Sequence, residues 1–252
     1  MPTTNNSAEQ PAEQGFRVRR REPNYPLGVP SKFDPDGNVQ PFAGNTIVAH
    51  LPPSDKLYNS LLSLHAKLAA SSLAHLFALL PPPSWHMTVF EGVCDQVRMP
   101  GLWPSDLPLN APLEQVTAHF AEKLAAFEFV DGEQLPYRLT VTGFSPLFIG
   151  IGVSLRLRTP EEEAGFRGLR DRLSKTLLIR APHHDNYGLH LSLAYFLRYP
   201  DEQQKAELLQ LLTDHLNGGM AWEFELGAPE FCTYENMYRF DRLSYLGGAS
   251  LR

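Results

Sequence analysis

One order of elements occurs twice in this chain of 252 residues: a strand, a capped helix, a strand carrying His-x-Thr or His-x-Ser, and another helix. In the first half, 32 residues separate the cap at Ser54 from His86, and in the second half 31 residues separate the cap at Thr159 from His190. Self-similarity at this range suggests a duplicated unit, and two similar units usually pack about an approximate two-fold axis. Equivalent residues are therefore expected to meet across a cleft.

The elements themselves are predicted from hydrophobic periodicity, helix caps and turn residues. The first half is predicted to contain a strand at 45–51, a helix from Ser54 to about residue 70, a strand at 85–90 and a helix opened by Pro112. The second half is predicted to contain a hairpin of strands at 137–142 and 148–158, a helix from Thr159, a strand at 189–195, a helix at about 201–216, and strands around 222–226 and 238–246.

Alternation of side chains in a strand gives each motif a polar face and an apolar face. The faces are predicted as His86, Thr88 and Phe90 against Met87 and Val89, and as His190, Ser192 and Ala194 against Leu189, Leu191 and Leu193. Taken singly, either motif is better explained as a half-buried histidine satisfied by a neighbouring hydroxyl. Two such motifs at matching places in two matching halves favour a shared functional role.

The segments Trp85-His86-Met87-Thr88-Val89-Phe90 and Leu189-His190-Leu191-Ser192-Leu193-Ala194-Tyr195 resemble the paired motifs of the two-histidine (2H) phosphoesterase superfamily. This superfamily includes the RNA 2′,3′-cyclic phosphodiesterases and the bacterial 2′,5′ RNA ligase-like proteins. The resemblance covers roughly residues 44 to 230 in element order and only the motifs in residue identity. It suggests a bacterial branch without an assigned substrate, and Ser192 stands where Thr is commoner.

The resemblance implies an α+β fold with two similar lobes, each with an antiparallel sheet and flanking helices, around a central cleft. The expected domains are an exposed, Pro-rich N-terminal arm over 1–40 and a bilobal phosphoesterase-like domain over 41–252, with lobes at about 44–130 and 135–252.

The motif residues suit phosphodiester chemistry independently of the resemblance. Imidazole accepts or donates a proton near neutral pH, so His86 and His190 could act as general acid and base, in either order. The hydroxyls of Thr88 and Ser192 could stabilise charge that develops on phosphate oxygens. This chemistry needs no metal, and no cofactor is expected. The sequence therefore predicts a metal-independent phosphodiesterase acting on a cyclic phosphate or phosphodiester of a nucleotide or RNA end; the alternative is a binding module that uses the same cleft without turnover.

Five further residues are candidates for substrate binding. Phe90, Tyr187 and Tyr195 could stack a base at the mouth of the cleft, although aromatic strand residues are more often part of a core. Arg138 and Arg198 flank predicted strands and could hold phosphate, although most arginines of this kind lie on the surface without a ligand.

A metal site is the competing interpretation of the His-His-Asp run at 183–185 together with His190. Adjacent residues seldom bind one ion together, and no His-Glu-x-x-His or paired-cysteine pattern accompanies the run. No metal site is therefore predicted. Cys94 and Cys232 lack a recognisable partner motif and are expected to be buried thiols.

Charge and composition limit the partners. With 22 basic and 28 acidic residues the net charge is −6, so the chain lacks the broad cationic field that holds long nucleic acids. A small nucleotide, or an RNA held at its 2′,3′-cyclic phosphate end, is the expected substrate. The sequence contains no apolar run of about 20 residues and no secretory signal, and two cysteines are too few for a disulfide framework. A cytoplasmic location without membrane contact is expected, and the oligomeric state is left open.

Overall fold

The computed structural model describes residues 25–133, 135–145, 147–218 and 222–248. Four α-helices lie in these ranges: α1 (Lys56–Ala69), α2 (Leu113–Ala125), α3 (Pro160–Leu177) and α4 (Glu202–Asn217). The strands there are β1 (Gly44–His50), β2 (Phe77–Leu79), β3 (His86–Cys94), β4 (Tyr137–Phe144), β5 (Gly150–Leu157), β6 (His190–Phe196), β7 (Glu223–Leu226), β8 (Glu230–Asn236) and β9 (Arg239–Tyr245). None of the described helices combines the length and apolar character needed to cross a membrane. The predicted α+β class with antiparallel sheets is confirmed.

All nine strands belong to one antiparallel sheet, whose main path runs β7-β4-β5-β6-β3-β1-β8-β9, with β2 paired to β6. The motif strands β6 and β3 are its two central strands, and three strands follow on each side. The two halves meet where Met87 of β3 pairs with Leu191 of β6, and both of these side chains are fully buried. We call Met87 and Leu191 the central pair.

The two halves of the sheet are not contiguous in sequence. β8 pairs with β1, so the C-terminal strands β8 and β9 complete the half that begins with β1, whereas β7 pairs with β4 in the other half. The halves therefore do not coincide with the contiguous lobes expected over 44–130 and 135–252. Strand β8, which the sequence analysis did not predict, occupies the free side of β1.

The half-sheet β3-β1-β8-β9 curls strongly. In a flat sheet, strands lie about 4.8 Å apart, which would leave β9 roughly 14 Å from β3. Instead, the ring centroids of Phe240 on β9 and His86 on β3 are 4.2 Å apart. The curl encloses Val48 and Cys232, and it brings β9 over the start of the motif strand.

The helix caps agree with the sequence analysis at α3 and differ by one residue at α1. Thr159 accepts a hydrogen bond from the backbone N–H of Glu162, whose carboxylate accepts from the backbone N–H of Thr159, forming a capping box. At α1 the cap is Asp55 rather than Ser54, because the Asp55 side chain accepts from the N–H of Leu57 at 2.7 Å. The four leucines predicted for the buried face of α1 are fully buried: Leu57, Leu61, Leu64 and Leu68.

The N-terminal segment is only partly the exposed arm that was expected. Residues 1–24 of that arm lie outside the described residues, but residues 25–40 pack on the sheet. Phe33 is 0% exposed, and its ring centroid lies 5.5 Å from that of Tyr195 and 5.8 Å from that of Tyr238. Because a single buried aromatic leaves no periodic signal, the sequence analysis could not distinguish this packed segment from an exposed one.

Replacing a residue of the central pair tests this architecture. Leu191→Ala is expected to lower the free energy of unfolding by about 2 to 5 kcal/mol, because it removes a fully buried side chain. Leu62→Ala, on the outer side of α1, is the matched control and should change stability by less than about 0.5 kcal/mol. Urea denaturation measures both, and His190→Ala should keep most of the stability. A loss for His190→Ala as large as that for Leu191→Ala would make the histidine a core residue.

Candidate active site

The register of the central strands brings the two motifs together. Because β3 and β6 run antiparallel, the residues next to the central pair put His86 beside Ser192 and Thr88 beside His190. These four side chains lie on the face opposite to the central pair, and each is partly exposed. Directly opposed residues in an antiparallel pair have Cβ atoms about 4.5 to 5.5 Å apart. Each half therefore supplies a hydroxyl to the neighbourhood of the other half's histidine.

Both histidines are oriented by the same contact. The Nδ1 atom of His86 lies 2.7 Å from the carbonyl oxygen of Ser84, and the Nδ1 atom of His190 lies 2.9 Å from that of Gly188. A carbonyl oxygen can only accept a hydrogen bond, so we assign the proton of each neutral ring to Nδ1. The Nε2 atom of each ring is then left to accept or, once protonated, to donate a proton.

The surroundings of His86 keep its ring neutral. Burial lowers the pKa of His86 to about 3 and outweighs the opposing effect of the Ser84 carbonyl. The positive charges that His50, His190 and Lys32 can carry lower this pKa further. His86 is therefore uncharged across the neutral pH range.

A β-bulge in β3 changes which side chains share the motif face. Thr88 pairs with Val48 and Phe90 with Ile47, so Val89 is an extra residue between them. Alternation is interrupted there: Val89 and Phe90 are both buried, and Glu91 takes the next place on the face of Thr88. Phe90 was predicted to share that face and to stack a base. Instead, it is 2% exposed and packs against His184, with ring centroids 6.0 Å apart.

The second half carries an equivalent bulge in β6. Ser192 pairs with Gly152 and Ala194 with Ile151, so Leu193 is the extra residue. Ala194 is consequently buried, and Tyr195 joins the motif face as Glu91 does in the first half. Gly152 suits this site, because a Cβ there would lie 2.7 Å from the carbonyl oxygen of Leu191.

Tyr187 lies beside the histidine of the second half, as the sequence analysis proposed for a substrate-binding residue. Its ring centroid is 6.0 Å from that of His190, and the guanidinium of Arg170 lies 4.2 Å from the ring centre. Burial raises the pKa of the Tyr187 hydroxyl, with a further contribution from Glu91, while a hydrogen bond with the Thr88 side chain opposes this change. The hydroxyl therefore stays protonated and can donate a hydrogen bond next to Thr88.

Glu91 and His183 form one end of the site, which the sequence analysis did not identify as such. The Nε2 atom of His183 lies 2.8 Å from a carboxylate oxygen of Glu91, and one Arg170 nitrogen lies 4.0 Å from the other oxygen. Arg170 is almost fully buried and donates to the carbonyl oxygen of Val89 at 2.7 Å, so it also supports the bulge. The bulge itself, which could not be read from strict alternation, is what aims Glu91 into the site.

Lys32 and Tyr195 form the other end. The Nζ atom of Lys32 donates to the Tyr195 hydroxyl at 2.9 Å, and the same atom lies 4.6 Å from the centre of the Tyr195 ring and 5.2 Å from that of Phe42. Tyr195 was predicted at the site and lies there. Lys32 was missed because it belongs to the segment expected to be an exposed arm.

The structure does not bring the two predicted arginines to the motif residues. Arg138 is 47% exposed and forms an ion pair with Glu162. Arg198 is exposed and lies two residues beyond the end of β6, roughly 26 Å along the strand direction from His190.

The residues of the run at 183–185 are engaged in separate contacts. His183 pairs with Glu91, whereas the Nε2 atom of His184 lies 3.0 Å from a carboxylate oxygen of Asp171. Asp171, His184 and Asp185 are close enough together to hold an ion. Arg180, however, pairs with both Asp171 and Asp185, so a cation there would have to displace a guanidinium.

A second group of possible ligands, His50, Glu230 and Cys232, lies beside His86. The Nδ1 atom of His50 is 3.2 Å from a Glu230 oxygen, and an Arg242 nitrogen is 3.1 Å from the other oxygen. Burial raises the pKa of Cys232 to about 12, so this residue is a buried thiol, as predicted. Cys94, in contrast, is partly exposed.

The comparisons with known proteins agree with this geometry. A family model described as "2H-phosphodiest: Domain of unknown function (DUF1868)" matches residues 32–149, a range that includes His86 and Thr88. The chain belongs to the 2H phosphoesterase superfamily. No curated protein matches it.

Two solved structures show the extent of the structural similarity. The chain is 27% identical to ATU0111 from Agrobacterium tumefaciens str. C58, a conserved protein of unknown function, with a TM-score of 0.79 over 87% of this chain and 93% of that one. TT0787 of Thermus thermophilus is 13% identical, with a TM-score of 0.42 over 82% of this chain and 99% of that one, a similarity too low to support an argument. The first comparison shows that the fold has been observed over nearly the whole length of another chain.

The low pKa of His86 has a consequence for stability. An unfolded histidine titrates near pH 6.5, so as the pH falls the unfolded chain binds this proton before the folded protein does. From about pH 6.5 down to about pH 3, His86 should therefore reduce stability by at most about 1.4 kcal/mol per pH unit. Urea denaturation at several pH values should show a shallower loss for His86→Gln than for the wild type. Equal slopes would mean that folding does not lower the pKa of His86.

Proposed function

We propose that this protein is a phosphodiesterase that opens a 2′,3′-cyclic phosphate, or cleaves a phosphodiester, of a nucleotide or RNA end. The observation that carries the proposal is the pair of imidazoles on one face of the central strands. Each ring has Nδ1 bound to a carbonyl oxygen and a hydroxyl of the opposite half beside it. Membership of the 2H superfamily supports phosphodiester chemistry in general.

The unequal surroundings of the two histidines support an assignment of roles. His86 is neutral before substrate binds, so its Nε2 atom can accept a proton from the attacking water. An anionic phosphate beside the ring favours its protonated form, which makes His86 a stronger base once substrate is bound. His190 then donates a proton to the leaving oxygen. After ring opening, the two protonation states must be exchanged before the next turnover.

Neutral donors complete the site. Thr88 and Ser192 each provide a hydroxyl next to a histidine, and the Tyr187 hydroxyl adjoins Thr88. Donors that are already in position stabilise charge on the non-bridging oxygens without reorganisation during the reaction. None of these steps uses a metal or another cofactor.

The charge of the site favours a small substrate. The carboxylate of Glu91 lies at one end of the motif face, and the net charge of the chain is −6. Both features disfavour the continuous phosphate backbone of a long nucleic acid, because like charges repel. A cyclic nucleotide, or the terminal nucleotide of a short RNA, fits better.

The low pKa of His86 also favours a second candidate, a module that binds nucleotides or RNA ends without turnover. A ring with a pKa of about 3 is a weak base unless the bound substrate raises that pKa. Release of a 2′- or 3′-monophosphate from a 2′,3′-cyclic nucleotide distinguishes catalysis from binding alone.

Histidine variants test the acid–base roles. His86→Ala and His190→Ala should each lower kcat by about 10² to 10⁴-fold, and the double variant should be little worse because the two groups act as a unit. His75→Ala, an exposed histidine whose ring contacts the Ser72 carbonyl, is the control and should retain activity. The assay measures monophosphate release from 2′,3′-cyclic AMP in excess EDTA. Activity that disappears on chelation and returns with zinc would overturn the metal-independent mechanism.

Hydroxyl variants test the donors separately from the proton-transfer groups. Thr88→Val and Ser192→Ala should lower kcat, by up to about 10² to 10³-fold, without moving either limb of the pH–rate profile, since a hydroxyl does not titrate in this range. Thr142→Val, whose hydroxyl bonds to the Ser154 carbonyl, is the matched control. A shifted limb would show that the hydroxyls act by setting the pKa of a histidine.

A further inference from the structure

We propose that Lys32 binds the non-bridging oxygens of the substrate phosphate, which makes the segment at 25–42 part of the active site. This inference rests on the phosphodiesterase function proposed above and supplies a cation for its anionic substrate. Neither Arg138 nor Arg198, the arginines predicted for that task, lies at the motif face.

The position of Lys32 follows from the bulge in β6. That bulge turns Tyr195 onto the face that carries Ser192, and the Lys32 ammonium lies 2.9 Å from the Tyr195 hydroxyl. The electrostatic influence of Lys32 on His86 is consistent with the same location. The ammonium therefore lies above the motif face.

The charge of Lys32 is left available for an anion. Its ammonium contacts neutral groups, namely the Tyr195 hydroxyl and the rings of Tyr195 and Phe42. Within the part of the chain that the structure describes, no carboxylate forms an ion pair with it. An ammonium has three N–H donors, and the Tyr195 hydroxyl uses one of them. Two donors can therefore point to phosphate oxygens without displacing an acidic partner.

The backbone of Lys32 is fixed before substrate arrives. Its N–H donates to the Gly28 carbonyl at 2.7 Å, and its carbonyl accepts from the N–H of Gln40 at 2.8 Å. The next residue, Phe33, is completely buried between Tyr195 and Tyr238. A charged group held in this way loses less freedom on binding, which increases its contribution to affinity.

The other half of the sheet carries the opposite charge at the equivalent place. Glu91 follows the first bulge as Tyr195, with its attached Lys32, follows the second. An anion on the motif face is therefore attracted toward Lys32 and repelled from Glu91, which gives the bound phosphate one preferred side.

The test measures phosphate binding separately from turnover. Inorganic phosphate is titrated into ¹⁵N-labelled full-length protein while the amide signals of Thr88 and Ser192 are followed, and kcat and KM are measured with 2′,3′-cyclic AMP. K32M should weaken phosphate binding by about tenfold or more, the value of a charge-assisted hydrogen bond. K32R should bind within a few-fold of the wild type. K56M, at the exposed first residue of α1, is the matched control and should leave both measurements unchanged.

Two results separate this inference from the proposed function. If K32M loses phosphate binding but the wild type hydrolyses no cyclic nucleotide, the anion site stands and the phosphodiesterase proposal fails. If the wild type turns over substrate and folded K32M binds phosphate and reacts as the wild type does, the role of Lys32 is overturned.

A purely structural role is tested by further variants. Y195F removes the hydroxyl that contacts Lys32 but keeps the ammonium, and it should affect phosphate binding much less than K32M does. An effect of Y195F equal to that of K32M would make Lys32 a support for Tyr195 and overturn the proposal. Circular dichroism confirms folding, and K32Q, which keeps the chain length without the charge, replaces K32M if that variant does not fold.

Discussion

The pairing of Met87 with Leu191 is the contact on which the rest of the site depends. It joins the two halves of the sheet at their central strands, and both side chains are fully buried. A slip of one residue would move every side chain of a strand to the other face, putting an imidazole into the core and a leucine or methionine into water. The cost of that exchange fixes the register, and the register alone brings His86 to Ser192 and Thr88 to His190.

The two halves share a framework but provide different surroundings. Both motifs have a carbonyl bond to Nδ1 of the histidine and a bulge one residue after the hydroxyl. The strongly curled half covers His86 with Phe240 and leaves the ring neutral. His190 has the Tyr187 ring beside it instead. Two similar histidines are thereby made chemically different, which a reaction that needs one acceptor and one donor requires.

Sequence patterns predicted the long-range order of the elements, the class of fold and the four motif residues that the register brings together. They failed where tertiary packing overrides a local rule. Alternation placed Phe90 on the motif face, but the bulge turns it inward and brings Glu91 forward. The segment containing Lys32 and Phe33 has no periodic pattern, because a single buried ring is enough to hold it on the sheet. The partners of Arg138 and the distance of Arg198 from the site were equally invisible in the sequence.

The pairing of β1 with β8 also determines when the site can be completed. Ile47 pairs with Phe231, so 184 residues separate the two partners along the chain. During synthesis, an apolar strand edge next to the first motif stays unpaired until nearly the last strand has emerged, and such edges invite wrong pairings. Contacts between distant parts of a chain also form slowly. The symmetry of the finished sheet is therefore not a symmetry of its assembly: the half that begins first is the half that is completed last.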